Sequence, residues 1–549
     1  MKQHRSLFLI LTNLLSAFIA YGLWSSPFSN MEEFSTERIV EDLKVISEKP
    51  HSVAHPEERA EVVQYLTQRL EELGGNTKTY VYPNITSRKF TFDAINVLAE
   101  FPPLKTSADT TYLMMIAHHD SRYPWKLNGD TVISKGAVDD GYGLGIILES
   151  VRQALKYRQE WSQGIKVLFT DAEEVDLQGM KAAYKHNKEI FDNVGLILNI
   201  EARGPFGPAL LFETSMGNEK VIQLYADHAR YPFTYSLMNV VYHQMPNGSD
   251  FNITRDSIPG MNFSAIADIN HYHTDLDNID NISEKTIGHY GEQLLPVMKE
   301  YLTNDAYSDR NALMSEEDSI FFSIPLLGMF CFSKSVYLLL NIGVIFLFFH
   351  LLSMEKNLRW KPIFKQSGIL MGASLILIIL GEIIAWLCAL SVGARFKWFG
   401  TVQGIPFDNA VMIFSVLILA IGLIRYFRKR KDIHQNLYAS MLTLMVGSIV
   451  FFFIAYRENM MFFLPLCIGT LTLHLWKTTS ARVFPLLGMT IILIHAFSFV
   501  YIVAMALSIG ALGLVLFLAF HYLIILIPLA HGYLADTTSN QIQIGRAHV

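Results

Sequence analysis

Cysteine is scarce in this chain. Only three occur in 549 residues, Cys331, Cys388 and Cys467. Because none precedes Cys331, the N-terminal part has no disulfide framework and must fold around a conventional core. A charge imbalance is missing too. Against 50 aspartates and glutamates stand 44 lysines and arginines, a formal net charge of -6 that is spread along the chain and excludes a nucleic-acid surface. Charged residues amount to 17% and hydrophobic ones to 51%, a balance that leans toward membrane protein. The lean is local. Between about 25 and 318 long apolar runs are absent and the chain reads as a soluble mixed domain, whereas from about 335 onward such runs dominate.

Lys2, His4 and Arg5 precede an apolar stretch from about Leu7 to Trp24, long enough to cross a hydrocarbon core of roughly 30 Å. Basic residues before the span predict a cytoplasmic start and an exported continuation. Residues 1–24 are therefore read as a transmembrane anchor; small residues such as Ala17 and Ala20 give the competing reading of a cleaved signal peptide. In the C-terminal half, 335–536 reads as a membrane domain of about seven helices, near 335–352, 367–391, 409–427, 437–456, 460–476, 483–506 and 508–530. Lys356, Arg359, Lys361 and Lys365 crowd one loop, and Arg425, Arg428, Lys429, Arg430 and Lys431 another two spans later. Both loops come out cytoplasmic if the soluble domain is outside. Glu382, His495 and His521 fall at apparent membrane depth, where helix-to-helix hydrogen bonding is the expected role and a proton path the rival one. Residues 319–334 read as an apolar connector.

The soluble part reads as alternating strands and helices. Thr111 to Ala117, Ile165 to Thr170 and Val194 to Ile200 are buried-strand runs, ending respectively at His118-His119-Asp120, at Asp171-Ala172-Glu173-Glu174 and at Glu201. In an open α/β sheet, ligands bind in the crevice outside the carboxyl ends of the strands. Five metal-type side chains follow in order: His118, Asp139 in Gly-Ala-Val-Asp-Asp-Gly, Glu174, Glu201, and His273 in Tyr-His-Thr-Asp. Taken singly, each is more often a packed histidine, a turn aspartate or a solvated glutamate. As a set, two imidazoles and three carboxylates suit two zinc ions, and one carboxylate between two cations can bridge them. Neighbouring carboxylates after a strand point differently, so Glu173 is free to serve as the base.

The series resembles the M28 family of metallopeptidases, co-catalytic di-zinc aminopeptidases and their carboxypeptidase relatives, over roughly residues 35 to 300. All five ligand positions are filled in order, separated by 21, 35, 27 and 72 residues. The resemblance implies a mixed central sheet flanked by helices for a peptidase domain at 30–310. It also implies two Zn2+ per chain, with Asp139 as the bridge, His118 and Glu201 completing one site, and Glu174 and His273 the other. Glu173 would be the general base, Asp120 would orient the imidazole of His118, and the Asp139-Asp140 peptide would be cis. The implied activity is exopeptidase cleavage of a peptide substrate, most simply as an aminopeptidase. The alternatives are a non-catalytic binding or receptor module on a peptidase fold, a single-zinc cyclising transferase of the same fold, and a transporter with an appended domain.

With its anchor and multi-helix tail, the chain resembles the endoplasmic-reticulum metallopeptidase and vacuolar membrane protease branch and its bacterial counterparts. Asn199-Ile200-Glu201-Ala202, Ser249-Asp250-Phe251 with Arg255-Asp256, and Tyr272-His273-Thr274-Asp275 carry that closer likeness. His119 and Asn247-Gly248-Ser249 depart from the pattern without touching a ligand. The expected setting is a multi-pass protein of the lipid bilayer with an extracytoplasmic catalytic domain. A bacterial inner membrane facing the periplasm is favoured; an endoplasmic-reticulum or vacuolar lumen is the alternative, where the sequons at Asn84, Asn247, Asn252 and Asn281 would be glycosylation candidates. Oligomeric state is left open. Residues 537–549 read as a tail in which Ile544-Gly545-Arg546-Ala547-His548-Val549 matches the conceptual translation of a sequencing adapter, so the natural chain is expected to continue beyond about Gln543.

Overall fold

The structure, a computed structural model, describes residues 2–25, 34–105, 109–244, 248–355, 359–430 and 432–535. Asn247, Lys356, Lys431 and the adapter-like 544–549 lie outside them. The chain divides into two compact units, Leu23–Ser333 on one side and Met1–Gly22 with Lys334–Val549 on the other.

In the first unit eleven strands follow one another: β1 Asn76–Ser87, β2 Phe90–Phe101, β3 Tyr112–His118, β4 Trp125–Leu127, β5 Asp130–Val132, β6 Gly164–Thr170, β7 Val194–Ala202, β8 Leu210–Thr214, β9 Gly260–Ala265, β10 Ser319–Ile324 and β11 Gly328–Ser333. Seven form one mixed sheet in the order β1-β2-β6-β3-β7-β9-β8. Its centre is parallel, β6 with β3, β3 with β7 and β7 with β9, while β1, β2 and β8 run antiparallel at the edges. Because both faces of the centre are covered, β3 is apolar without alternation: Leu113, Met115 and Ala117 join one buried cluster, Met114 and Ile116 the other. The parallel strands therefore deliver their C-terminal ends, and the polar residues that follow, to a single edge of the sheet.

Helix Gly141–Leu155 starts directly below that edge. Asp140 caps it by accepting from the amide of Gly143 at 3.1 Å. Position 143 must be glycine, since a Cβ there would come within 2.3 Å of the Asp140 carboxylate. After β6 the backbone turns sharply, with Ala172, Asp176 and Leu177 all at positive φ on either side of the 3-10 turn Glu173–Val175. Such strain in non-glycine residues persists where the surroundings over-determine it, and functional sites are a common place for it.

Within the apolar connector expected at 319–334, residues 319–324 and 328–333 pair with one another. They form the hairpin β10-β11, and β10 is buried throughout. Ser323 donates its amide to the carbonyl of Thr234 at 2.9 Å, and the hydroxyl of Ser236 accepts from Phe321 at 3.1 Å. Apolar side chains here cover the domain's own flank, which is why the run is hydrophobic without being a span.

Among the described residues the second unit contains the helix that begins at Lys2, up to Gly22, and seven helices, Lys334–Ser353, Trp360–Ser391, Asp408–Lys429, Ile433–Ile454, Met460–Thr479, Val483–Leu507 and Leu512–Leu534. Among the described residues six stretches are long and apolar enough to cross a membrane, the last pair of helices counting as one stretch, Val483–Leu534, interrupted by the 3-10 turn Ser508–Ala511. The ionisable groups within it make local hydrogen bonds. Glu382 accepts from the amides of Phe399 and Gly513, both at 3.2 Å; Nδ1 of His495 lies 2.9 Å from the hydroxyl of Tyr522, and Nδ1 of His521 lies 2.7 Å from the carbonyl of Phe517.

Candidate metal centre and active site

The ends of β3, β6 and β7 carry His118, Glu174 and Glu201, and two loops, one before the helix Gly141–Leu155 and one after the 3-10 turn Ile269–His271, bring Asp139 and His273 to them. Two donor groups result among the described residues, His118, Asp140 and Glu201 in one, Asp139, Glu174 and His273 in the other, each with ligand atoms within 4.8 Å of one another. Asp139 faces both. Its Oδ1 lies 3.2 Å from Nε2 of His118, and its Oδ2 lies 3.0 Å from Nε2 of His273. Oε2 of Glu201 is 3.8 Å from the same atom of His118, and Oε1 of Glu174 is 2.7 Å from that of His273. The Asp139-Asp140 peptide is cis.

Oδ2 of Asp139, Oε1 of Glu174 and Nε2 of His273 are buried and close, yet none has an aligned hydrogen bond. Lone pairs aimed at a common point rather than at one another are what a cation needs, and a donor set of imidazole and carboxylate suits zinc. The residues present fit the metal. Asp140, which the sequence reading placed only in the cis peptide, is within reach of the first group, and its Oδ2 has no partner either.

The surrounding contacts hold these side chains at fixed angles. His118 sends Nδ1 to the backbone carbonyl of Asp120 at 2.9 Å, while the Asp120 carboxylate stands off at 3.5 Å. That carboxylate accepts instead from the amides of Glu173 at 2.9 Å and Glu174 at 3.3 Å. The expected orienting role of Asp120 is therefore split: its carbonyl orients the imidazole and its side chain pins the turn that carries both glutamates. Beside His273, Tyr272 stacks on the ring at 3.6 Å between centroids, and Trp125 donates its indole N–H to the His273 carbonyl at 2.7 Å. His119 belongs elsewhere, its Nε2 lying 2.8 Å from the Ile95 carbonyl on β2.

Arg122 was not singled out from the sequence. It donates to Oε2 of Glu174 at 2.7 Å and to the Glu174 carbonyl at 3.2 Å. Its only signal was a cation two residues beyond Asp120 in the same strand-end loop. Burial would raise the Glu174 carboxyl, but His273 and Arg122 outweigh it and hold the group well below the usual carboxylate range. Glu201 goes the other way, pushed up to about 8 by burial against the pull of His118. The half-buried Glu173 is raised well above its ordinary value, first by burial and then by the neighbouring carboxylates Glu201 and Glu174, with His118 opposing. The carboxyls around one crevice are thus driven far apart in acidity, the arrangement from which acid and base roles are made.

Peptidase family M28 matches residues 96–298, the span that contains every one of these side chains. The chain carries a peptidase M28 domain. Endoplasmic reticulum metallopeptidase 1 of Mus musculus is 25% identical over 338 residues, 60% of this chain and 34% of that protein. A vacuolar membrane protease of Candida dubliniensis is 24% identical over 348 residues, 59% of this chain and 35% of the relative. The chain thus spans about a third of the length of these two relatives. Among solved structures, a glutaminyl cyclase of Porphyromonas gingivalis aligns over 50% of this chain and 100% of its own at 16% identity and a TM-score of 0.39. By its own strand order the M28 domain is a mixed α/β sheet domain, and several apolar helices follow it in this chain.

Proposed function

We propose that the M28 domain is a co-catalytic two-zinc exopeptidase acting on the N-terminal residue of peptides, an aminopeptidase held at a membrane by the apolar helices. One observation carries the reading: the carboxylate of Asp139 presents Oδ1 to His118 and Oδ2 to His273, at 3.2 and 3.0 Å. A single side chain so placed serves two cation sites at once. In this reading His118, Asp139 and Glu201 hold one zinc and Asp139, Glu174 and His273 the other, with Asp140 beside the first.

When bound, the cations supply Lewis acidity toward the scissile carbonyl and make a water acidic enough to lose a proton near neutral pH. Glu173 takes that proton and passes it to the leaving amine. Its raised pKa suits a group that must keep a proton between two steps. Asp120 fixes the turn bearing Glu173 and Glu174 through their amides, so that base and ligand keep separate directions. Arg122 keeps Glu174 anionic, and Tyr272 covers one face of His273.

A binding module without catalysis would be expected to have lost a ligand or the base, and a single-zinc cyclising transferase would leave one of the two donor groups idle. The completeness of both groups favours the peptidase. The basic helix ends around 359–365 and 425–430 support an extracytoplasmic domain, in the periplasm or in an endomembrane lumen.

The test uses the full-length protein in detergent, with metal content and aminoacyl-amide hydrolysis measured for the wild type and Glu173→Gln. About two zincs per chain in both, with turnover lower by roughly 10²- to 10⁴-fold in the variant, is the expected result. Full activity in the variant removes Glu173 as base. A folded wild type with neither metal nor turnover points to the binding module.

A further inference from the structure

Away from the donor groups, one polar row crosses β7, β9 and β8, while the same level is apolar on β3, β6 and β2, at Ile116, Leu168 and Leu98. Asn199 on β7 stands opposite Asn262 on β9, and Asn262 stands opposite Glu213 on β8. All three are fully buried, while their strand neighbours Leu198, Ile200, Met261 and Phe263 join the apolar cluster on the other face of the sheet. Two residues beyond Asn199 on the same strand, and therefore on the same side of the sheet, is Glu201.

The hydrogen bonds along the row have a single direction. Glu213 can only accept: its Oε1 takes Nη1 of Arg255 at 2.6 Å and lies 3.2 Å from Nε2 of His243, and its Oε2 takes the amide nitrogen of Asn262 at 2.9 Å. Asn262 spends its second N–H on the hydroxyl of Ser249, also at 2.9 Å. Its carbonyl is thereby turned to Asn199, from which it accepts at 2.9 Å, and the remaining N–H of Asn199 goes to Oε1 of Glu201 at 3.2 Å. Reversing either amide would set oxygen against oxygen. Asn199 keeps this orientation although its own Oδ1 is buried without a hydrogen bond, a cost of the kind buried polar groups usually avoid. The outcome is a donor fixed on Oε1 of Glu201, while Oε2 is the oxygen 3.8 Å from His118.

We propose that Glu213 is a positioning residue for the His118 and Glu201 metal site, acting through Asn262 and Asn199 to choose which oxygen of Glu201 faces the cation. The proposal rests on the two-zinc reading above. It also gives the buried Glu213–Arg255 pair a task beyond filling the sheet edge, since Glu213 accepts from both Arg255 and Asn262 and that acceptance sets the polarity of the row. Partners that orient a metal's ligands typically contribute 10- to 100-fold in affinity or activity.

The experiment measures zinc affinity by chelator competition in the full-length protein in detergent, together with kcat and KM for an aminoacyl amide, in Asn199→Leu, Glu213→Gln and the double variant. In Asn199→Leu one zinc weakens about 10- to 100-fold, the second is unchanged, and kcat falls more than KM rises. Glu213→Gln shows the same selective loss, and adds nothing further once Asn199 is leucine. The proposal is overturned if zinc affinity is the same in Glu213→Gln as in the wild type, or if the two substitutions act additively. Should Glu213→Gln lose both metals together, its sheet edge has collapsed and Asn199→Leu, which changes no charge, decides: unaltered zinc affinity there ends the proposal. A wild type that binds no zinc fails the two-zinc reading itself, whereas two tightly bound zincs in every variant fail the positioning role alone.

Discussion

Arg122 and Glu174 meet through one nitrogen: Nη1 lies 2.7 Å from Oε2 and 3.2 Å from the backbone carbonyl of the same residue. The guanidinium therefore fixes both the charge and the backbone of Glu174, while Oε1 is left for the crevice, 2.7 Å from His273. Replacing Arg122 by Met removes a cation that holds the Glu174 carboxyl down. The carboxyl then rises toward its ordinary range, and since a ligand must be ionised to bind metal, zinc is released at a higher pH than in the wild type. At neutral pH the expected loss in zinc affinity is about 10- to 100-fold. Zinc retention across an acid titration, read by chelator fluorescence, checks both statements, and identical release curves would remove Arg122 from the centre.

Gly143 bears on the same centre from the helix beneath it. A methyl group there would meet the Asp140 carboxylate at 2.3 Å, so Gly143→Ala must displace the side chain that caps the helix. Loss of such a cap costs about 1 kcal/mol, and the displaced carboxylate belongs to the first donor group. Lower thermal stability and lower kcat/KM are expected together. Asp140→Asn keeps the cap acceptor, so it should spare stability while still reducing activity; equal stability losses in the two variants would contradict this.

Much of the centre was legible because its residues sit at the ends of continuous buried strands. The run through Met114 and Ile116 to His118, and the one through Leu168 to Glu173 and Glu174, announce both the strand and the place where it stops being apolar. The M28 domain was legible for the same reason, through the ordered series His118, Asp139, Glu174, Glu201, His273. What local pattern could not provide was anything that depends on strand order. That Glu213 lies beside Asn262 follows from β8 pairing antiparallel at the edge, and no run of residues near either position reveals it. Trp125 reaches His273 from 148 residues away, again a product of the closed fold. The hairpin at 319–333 was not foreseen for a simpler reason: apolar residues that pair as strands and apolar residues that merely join two domains have the same composition.

Glu382 tests the role of the helical unit. Both its oxygens accept backbone N–H groups, from Phe399 and Gly513, and Gly513 opens the helix Leu512–Leu534. The side chain thus ties a loop to a helix start, with no call for a changing proton. Glu382→Gln puts an N–H where one backbone N–H already points, and leaving a buried donor unsatisfied costs about 1 to 3 kcal/mol. A lower melting temperature of the detergent-solubilised protein is expected, with peptidase activity at permissive temperature intact. A proton-path role would instead leave stability alone and abolish pH-driven transport in liposomes.

His289 makes the M28 domain sensitive to acid apart from its metal centre. The side chain is 3% exposed, and its Nδ1 accepts from the amide of Ala209 at 3.1 Å, which requires a neutral ring. Burial lowers it from an ordinary value of 6.5 to about 4. Between those values the unfolded chain binds a proton that the native domain does not, so stability is constant above about pH 6.5, falls as pH drops toward 4, and levels below that. The full loss is about 3 kcal/mol at 1.36 kcal/mol per pH unit. His289→Gln can still offer a carbonyl to Ala209 but cannot charge, so it should start less stable at pH 7 and lose less on acidification. Hydrogen exchange of peptides from Glu284–Thr303, corrected for the intrinsic pH dependence of exchange, reads this locally. A variant whose protection falls as steeply as that of the wild type between pH 6.5 and 4 would assign the acid sensitivity to another group.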